Sequence, residues 1–300
     1  MYDSDSKGIS YTAGFFMTIT FTIASVILAA ALSAQLWQAI TGTPYSSEAL
    51  KDPAYGSAAK LTQIITAVVG FLLPAIFTAT MLSRRPFKLL GMTRGVTPGL
   101  TGIVVFIMAS AMLVSGALSW FTELIPIPAD WKVTFDKLEE AYQKQVEVIV
   151  TLNTPIDFII ALFIMAFLPA LCEEALFRGG LQNFLTRSTG RPWLSIVVVS
   201  LIFSAFHFSW YGFLSRFFLG VVLGYIFHYS GRLWLAIIAH FFNNALAVTL
   251  LYIAKQQGKP MEQAMNEGAD TYWGIFALPV VVVLFMIFRN LILKKEAGAR

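Results

Sequence analysis

Charged residues are scarce in this sequence, and cysteine and histidine are scarcer still. Of 300 residues, 13% are charged and 57% are hydrophobic, with one cysteine and three histidines. So few charges exclude a solvated globular domain, and the single Cys172 excludes an internal disulfide. The net charge of +4 does not indicate nucleic-acid binding, because the basic residues are scattered between apolar runs. The first ten residues, MYDSDSKGIS, lack the basic segment and cleavage site of a signal peptide, so we expect the first apolar run to remain as a span.

Long apolar runs dominate what is present. A bilayer-spanning helix needs about 20 predominantly apolar residues. Runs of about that length lie near 14–37, 61–82, 97–120, 155–172, 192–210, 212–229, 232–254 and 272–293. The sequence therefore predicts an all-α, polytopic membrane protein with about eight transmembrane helices and membrane lipid as its surroundings.

The charges between the runs predict an orientation. The connection 83–94 holds four basic residues and no acid, which the positive-inside rule assigns to the cytoplasm. The loop 121–153 has six acids against three lysines and falls on the other side, where DKLEEAYQKQVEVIV is predicted to form an amphipathic helix. An even number of spans then places both termini in the cytoplasm. Arg216 lies near a span end, where snorkelling of the side chain to the interface explains it.

Two adjacent carboxylates and an arginine stand in the run PALCEEALFRGGLQN, at the end of pure hydrocarbon. On a helix Glu174 and Arg178 share a face and can form an ion pair, whereas Glu173 lies about 100° away. Each charge at membrane depth costs about 2.5–3.5 kcal/mol by insertion scales, so such residues are usually functional. We therefore expect a polar site within the membrane in the second half of the chain.

Histidines and an asparagine add to this site. His207 and His240 lie inside apolar runs, and Asn244 shares a helical face with His240. A single such histidine is more often a satisfied interhelical hydrogen bond than a catalytic group, but two of them with a membrane carboxylate favour a site. His228 lies at a span end and is expected to be structural, and Asn243 is expected to point elsewhere.

Helix lengths test whether these groups meet. Glu173 is 17 residues before Gly190 and His207 is 17 after it, so both lie about 25 Å from that turn. His240 is nine residues past Gly231, so its level agrees only if the first hairpin projects roughly 10 Å further. The result would be a polar chamber nearer the basic side of the membrane.

The chemistry of these groups suits peptide hydrolysis. A carboxylate beside an imidazole can hold a water molecule and remove its proton, and a second imidazole with a carboxamide can donate hydrogen bonds to an oxyanion. In order and spacing the motifs resemble those of the CAAX prenyl protease type II family, also called CPBP or Abi proteins. They read Glu173-Glu174-x-x-x-Arg178, Phe203-x-x-x-His207 and His240-x-x-x-Asn244.

The resemblance, over residues 155–250, implies an eight-helix intramembrane endopeptidase with no cofactor. It implies that Glu173 and His207 activate water and that His240 and Asn244 form the oxyanion hole. Glu174, Arg178 and Phe203 would support them. We accordingly divide the chain into N-terminal helices with an extracytoplasmic amphipathic helix (1–153), a catalytic four-helix unit (154–254), and a last transmembrane helix with a basic tail (255–300).

Two alternatives stay open. Glu173, His207 and His240 could instead bind a catalytic zinc ion, although the HExxH helix of many zinc proteases is missing. The protein could also be a non-catalytic membrane regulator or a bacteriocin-immunity protein, two further roles that the resemblance to this family implies. A membrane-associated protein or peptide is the expected substrate, and short loops without an organellar signal favour a bacterial plasma membrane. The sequence predicts no oligomeric state.

Overall fold

A computed structural model describes residues 4–46, 48–150, 152–260 and 272–297, and most of these residues are helical. In addition to a single turn, Pro86–Leu89, and 3₁₀ turns at Ala49–Lys51 and Tyr272–Ala277, nine helices are found in the described residues. They are α1 (Tyr11–Thr41), α2 (Pro53–Leu82), α3 (Pro98–Glu123), α4 (Ala129–Ile149), α5 (Pro155–Thr189), α6 (Pro192–Ala205), α7 (Phe213–Ser230), α8 (Leu233–Gln256) and α9 (Leu278–Ala297). Arg300, part of the predicted basic tail, lies outside the described residues.

Seven candidate spans confirm the prediction of an all-α polytopic membrane protein. Seven helices of the described residues are long and apolar enough to cross a bilayer, the last of them Tyr272–Lys294. The predicted fifth span, 192–210, is instead the 14-residue helix α6, which ends at Ala205. At 1.5 Å per residue α6 is about 21 Å long, shorter than a hydrocarbon core of about 30 Å.

Helix α5 carries the paired glutamates, and local signals set its ends. Thr154 and Asp157 form a capping box at its start, and Gly190 ends it in the left-handed conformation with φ of 67°. Two segments of α5 have the wider π-helical turn, Leu162–Phe167 and Ala175–Gln182. Wide turns of this kind are often found at functional sites, and the second begins directly after Glu174.

Close approach of α5 and α7 depends on two glycines. Arg178 donates to the carbonyl of Gly220 (3.1 Å) and Gln182 donates to that of Gly224 (2.9 Å). A Cβ at Gly224 would lie 2.8 Å from Oε1 of Gln182. The two glycines thus let polar side chains of α5 reach the backbone of α7, and small residues four apart allow such close approach of helices in general.

One end of the bundle is formed by the basic connection between α2 and α3. Asn183 donates to the carbonyl of Leu89 (2.7 Å), and the backbone N–H of Leu233 donates to that of Gly91 (3.0 Å). Both helices are therefore level with this connection, and Gly190 lies seven residues beyond Asn183, or about 10 Å. This spacing agrees with the projection of the α5–α6 hairpin that the helix lengths require.

At the other end, α4 lies across the connection between α6 and α7, residues 206–212. Phe135 stacks on Trp210 with ring centroids 5.4 Å apart, and Ser209 donates to Glu139 (2.8 Å). Tyr211 donates a short hydrogen bond to Asp136. That bond, with a second from Lys132, lowers the pKa of Asp136, so its contribution to docking is present at neutral pH and is lost as pH falls through the lowered pKa.

Helix α4 contains the predicted amphipathic segment, but only part of its apolar stripe is buried. Val146 and Ile149 are buried, whereas Leu138 and Tyr142 are 44% and 45% exposed. The N-terminal half of α4 is therefore held to the bundle mainly by the polar and aromatic contacts of the 206–212 connection.

Candidate active site

Helices α5 and α8 bring His240 against both glutamates. Its Nδ1 lies 2.8 Å from Oε1 of Glu174, and its Nε2 lies 4.0 Å from Oε2 of Glu173. The imidazole thus stands between the two carboxylates, which the sequence had assigned to different tasks. Because a carboxylate accepts hydrogen bonds, Nδ1 carries the proton and donates a hydrogen bond to Glu174.

Glu174 also pairs with Arg178, as the four-residue spacing predicts. Nη1 of Arg178 donates to Oε1 of Glu174 at 2.6 Å, and the two side chains are 1% and 0% exposed. Arg178 completes its bonding with the carbonyl of Gly220. Breaking such a buried pair by removing one partner is strongly unfavourable, because the other charge is left uncompensated. Glu174 is therefore an anchor for His240 rather than a group available to substrate.

The ring of Phe203 lies at the centre of the cluster. The guanidinium carbon of Arg178 lies 4.6 Å from its centroid. The rings of His207 and His240 lie 4.9 Å and 6.0 Å from it, both near edge-on. Phe203 therefore fixes the spacing of the two imidazoles and contributes a cation–π contact to the buried arginine.

His207 lies two residues beyond the end of α6. Its Nδ1 is 2.8 Å from the carbonyl of Phe203, and since a carbonyl only accepts, Nδ1 carries the proton and Nε2 is left as an acceptor. The next residue, Phe208, has φ of 50°, a left-handed conformation that bulky residues rarely adopt. Such strain is characteristic of functional sites. The ion pairs of the described residues join Glu173 to His240 and not to His207.

Asn243 and Asn244 form a pair on α8. Nδ2 of Asn243 donates to Oδ1 of Asn244 at 3.0 Å. The bond occupies the carbonyl oxygen of Asn244, so that its Nδ2 is left to donate elsewhere. A carboxamide is long enough to reach its neighbour's side chain although the two residues are about 100° apart on the helix, and the expectation that Asn243 points away from His240 stays a prediction.

Glu173 has unused hydrogen-bonding capacity. Its Oε2, like that of Glu174, is buried and has no hydrogen-bond partner among the described residues, but the side chain of Glu173 is 19% exposed and that of Glu174 is 0% exposed. A buried polar atom without a partner is costly in free energy and needs an explanation. Binding of water or substrate to this oxygen would explain why it has no partner in the protein.

The three possible zinc ligands, Glu173, His207 and His240, are not arranged around one point. Within the ranges that the structure describes, no group of three His, Cys, Asp or Glu side chains is placed to hold a metal ion. The rings of His207 and His240 both lie against Phe203, while the described ion pairs join Glu173 to His240 alone. Cys172 packs in an apolar cluster with Ala67 and Leu168.

Arg216 was not predicted as part of the site, because the sequence assigned it to the membrane interface. Arg216 interacts electrostatically with both Glu173 and His207. Its signal in the sequence was a positive charge inside an apolar run with no acid within four residues.

Comparison with known families identifies the second half of the chain. Residues 155–246 match the family model for Rce1-like proteins, described as type II CAAX prenyl endopeptidase Rce1-like. Comparisons with curated proteins and with solved structures give no match. The matched residues include both glutamates, both site histidines and the asparagine pair. By this match residues 155–246 are similar to the Rce1-like, type II CAAX prenyl endopeptidase family, in a chain with seven candidate membrane spans.

Proposed function

We propose that this protein hydrolyses a peptide bond of a membrane-associated protein or peptide with water activated by Glu173. The unpartnered buried oxygen of Glu173, beside His240 within the residues that match this family model, is the observation that carries the proposal. Water bound there transfers a proton to the carboxylate as its oxygen attacks the carbonyl carbon. Glu173 then gives that proton to the leaving nitrogen, and the products are a carboxylate and an amine.

His207 is proposed to help hold the attacking water. Its Nδ1 is committed to the carbonyl of Phe203, so the bare Nε2 can accept a hydrogen bond from water. Two acceptors on one water molecule, Glu173 and His207, would orient its lone pair toward the substrate carbonyl.

His240 and Asn244 are proposed as the oxyanion donors. Nδ1 of His240 is used by Glu174, so donation from Nε2 requires the imidazolium. Nδ2 of Asn244, oriented by Asn243, supplies the second donor. Such donors act only as negative charge develops on the carbonyl oxygen.

Glu173→Gln tests the proposal, because it removes the base and keeps the shape. C-terminal peptides from cells carrying intact protein or the variant would identify substrates, and purified protein in nanodiscs would give rates. We expect no turnover by a folded Glu173→Gln variant and normal turnover by Glu140→Gln, a control on α4 whose partner is Lys144. Normal turnover by Glu173→Gln would refute the assignment.

Metal analysis of the same samples separates this mechanism from the zinc alternative. A catalytic zinc would be present at one ion per chain and would respond to chelators. We expect no stoichiometric zinc in active protein. One zinc per chain, lost together with activity in His207→Ala and His240→Ala, would replace the glutamate mechanism by zinc catalysis.

A further inference from the structure

A cavity lies under α4, at the end of the bundle away from the basic connection. It has a volume of about 800 Å³, and the residues lining it include Glu123, Lys132, Glu139, Ser209, Gly212 and Arg216. We call it the α4 vestibule. Helix α6 ends at Ala205 and leaves this space open, and the polar chamber expected nearer the basic side stays a prediction.

Arg216 lies in the vestibule with unused hydrogen-bonding capacity. Its Nη1 is buried and has no hydrogen-bond partner among the described residues. The guanidinium rests on Gly212, where a Cβ would lie 2.2 Å from Nη1, and the ring of Tyr142 lies 6.0 Å from its central carbon. Arg178, by contrast, is fully bonded to Glu174 and Gly220. A buried N–H group without a partner is unfavourable, and on a positively charged guanidinium it indicates an anionic ligand.

The position of Arg216 connects the vestibule to the cluster of site residues. Arg216 interacts electrostatically with Glu173 and with His207. Ser209, which also lines the vestibule, is two residues after His207. A peptide segment in the vestibule would therefore continue directly to the proposed water-activating groups.

The vestibule's own charges favour a singly charged anion. Glu123 and Glu139 balance Lys132 and Arg216 among its lining residues, and Glu139 is held by Ser209. A doubly charged phosphate would be repelled by the two nearby acids. A carboxylate carries a single negative charge and can accept two parallel hydrogen bonds from an arginine. A carboxylate is thus the chemistry that fits.

We propose that Arg216 binds a carboxylate of the peptide substrate in the α4 vestibule and so selects substrates with an acidic group near the scissile bond. This inference rests on the proposed peptide hydrolysis. The carboxylate can belong to an aspartate or glutamate side chain or to the end of the peptide chain, and the experiment separates these sources.

The test measures peptide retention on protein in phosphatidylcholine nanodiscs, with Glu173→Gln as the background so that bound peptides stay intact. The probe is three pools of apolar nonapeptides: one with free C-terminal carboxylates, one amidated with Asp or Glu at varied positions, and one amidated with Asn or Gln instead. Mass spectrometry gives the retained fraction of each pool. We expect at least one carboxylate pool to be retained about 10-fold better than the neutral pool.

Three further substitutions in that background assign the preference to Arg216. Arg216→Gln should abolish it, Arg216→Lys should keep part of it, and Gly212→Ala should weaken it by displacing the guanidinium without removing its charge. Arg191→Gln, which removes an exposed charge at the basic end, should change nothing. Unfolding midpoints for each variant would show that retention is compared among folded proteins.

Equal retention of the three pools, retention of none, or a preference that survives Arg216→Gln would overturn the inference. Incubation of protein with intact Glu173 and the same pools tests hydrolysis separately. If carboxylate peptides are bound through Arg216 but none is cleaved, the binding site stands and the proposed function fails. If acidic and neutral peptides are cleaved equally, the proposed function stands and the Arg216 site fails.

Discussion

Glu174 determines the geometry of the cluster, since one of its oxygens contacts both Arg178 and His240. Glu174→Gln would leave the arginine as an uncompensated buried cation, a change that costs about 3–5 kcal/mol in soluble proteins. We expect both turnover and thermal stability to fall. Glu174→Gln with Arg178→Gln should recover part of the stability and none of the turnover. A melting temperature unchanged in the single variant would mean that the pair contributes nothing to stability.

The asparagine pair predicts a graded response. Loss of one oxyanion donor lowers turnover by about 10²–10³-fold, so Asn244→Ala should lower kcat strongly with little change in KM. Asn243→Ala should lower kcat less, because Asn244 keeps its donor and loses only the bond that orients it. Steady-state kinetics on both variants measure the two changes in kcat and KM. A dispensable Asn244 with an essential Asn243 would show that the helix face is misassigned.

Contacts within one helix were predictable at this scale, and contacts between helices were not. The Glu174–Arg178 pair follows from four-residue spacing alone. Which glutamate receives His240 depends on the rotation of α5 against α8, and the wide turn that begins at Ala175 alters that rotation. Helical periodicity of 3.6 residues does not describe such a turn. The motif therefore predicted the members of the cluster but not the pairing of His240 with Glu174.

At the scale of elements, the packing of α5 on α7 depends on Gly224. An added methyl group would lie 2.8 Å from Gln182 and 3.0 Å from Ile196, and overpacking of this kind typically costs about 1–3 kcal/mol. We expect Gly224→Ala to lower the melting temperature and to reduce turnover by moving α5. Gly102→Ala in α3 is the matched control, because its Cβ would meet nothing within 4 Å. Equal melting temperatures for the two variants would contradict this account.

The helices were predicted well where apolar length decides, and less well where it does not. Phe206 and Phe208 continue the apolar run of α6, yet both lie in the connection that follows it. Hydropathy reports that a residue is compatible with lipid or a core, not that its backbone is helical. The predicted span 192–210 was therefore too long at its C-terminal end. There the left-handed backbone of Phe208 and the contacts with α4 replace the helix.

At the scale of the whole molecule, charge differs between the two ends. The connection 83–94 carries four basic residues, while the loop 121–153 carries six acids against three lysines. We propose that the basic end faces the cytoplasm and that the α4 vestibule opens on the other side. A membrane-impermeant maleimide applied to intact cells should label Thr134→Cys on α4 and leave Val96→Cys unlabelled. The reverse pattern would invert the orientation.

The shortness of α6 has a consequence for the surrounding lipid. Trp193, Leu194, Val197 and Leu201 are exposed on α6, and its length of about 21 Å falls short of a typical hydrocarbon core. Hydrophobic mismatch of this size is relieved when neighbouring lipid thins or lets water in. Either response brings the polar headgroup region down to residues 206–212 and so to His207. Turnover should therefore rise in nanodiscs of shorter-chain lipids. A thin bilayer already matches the length of α6, so water reaches His207 without further deformation of the lipid.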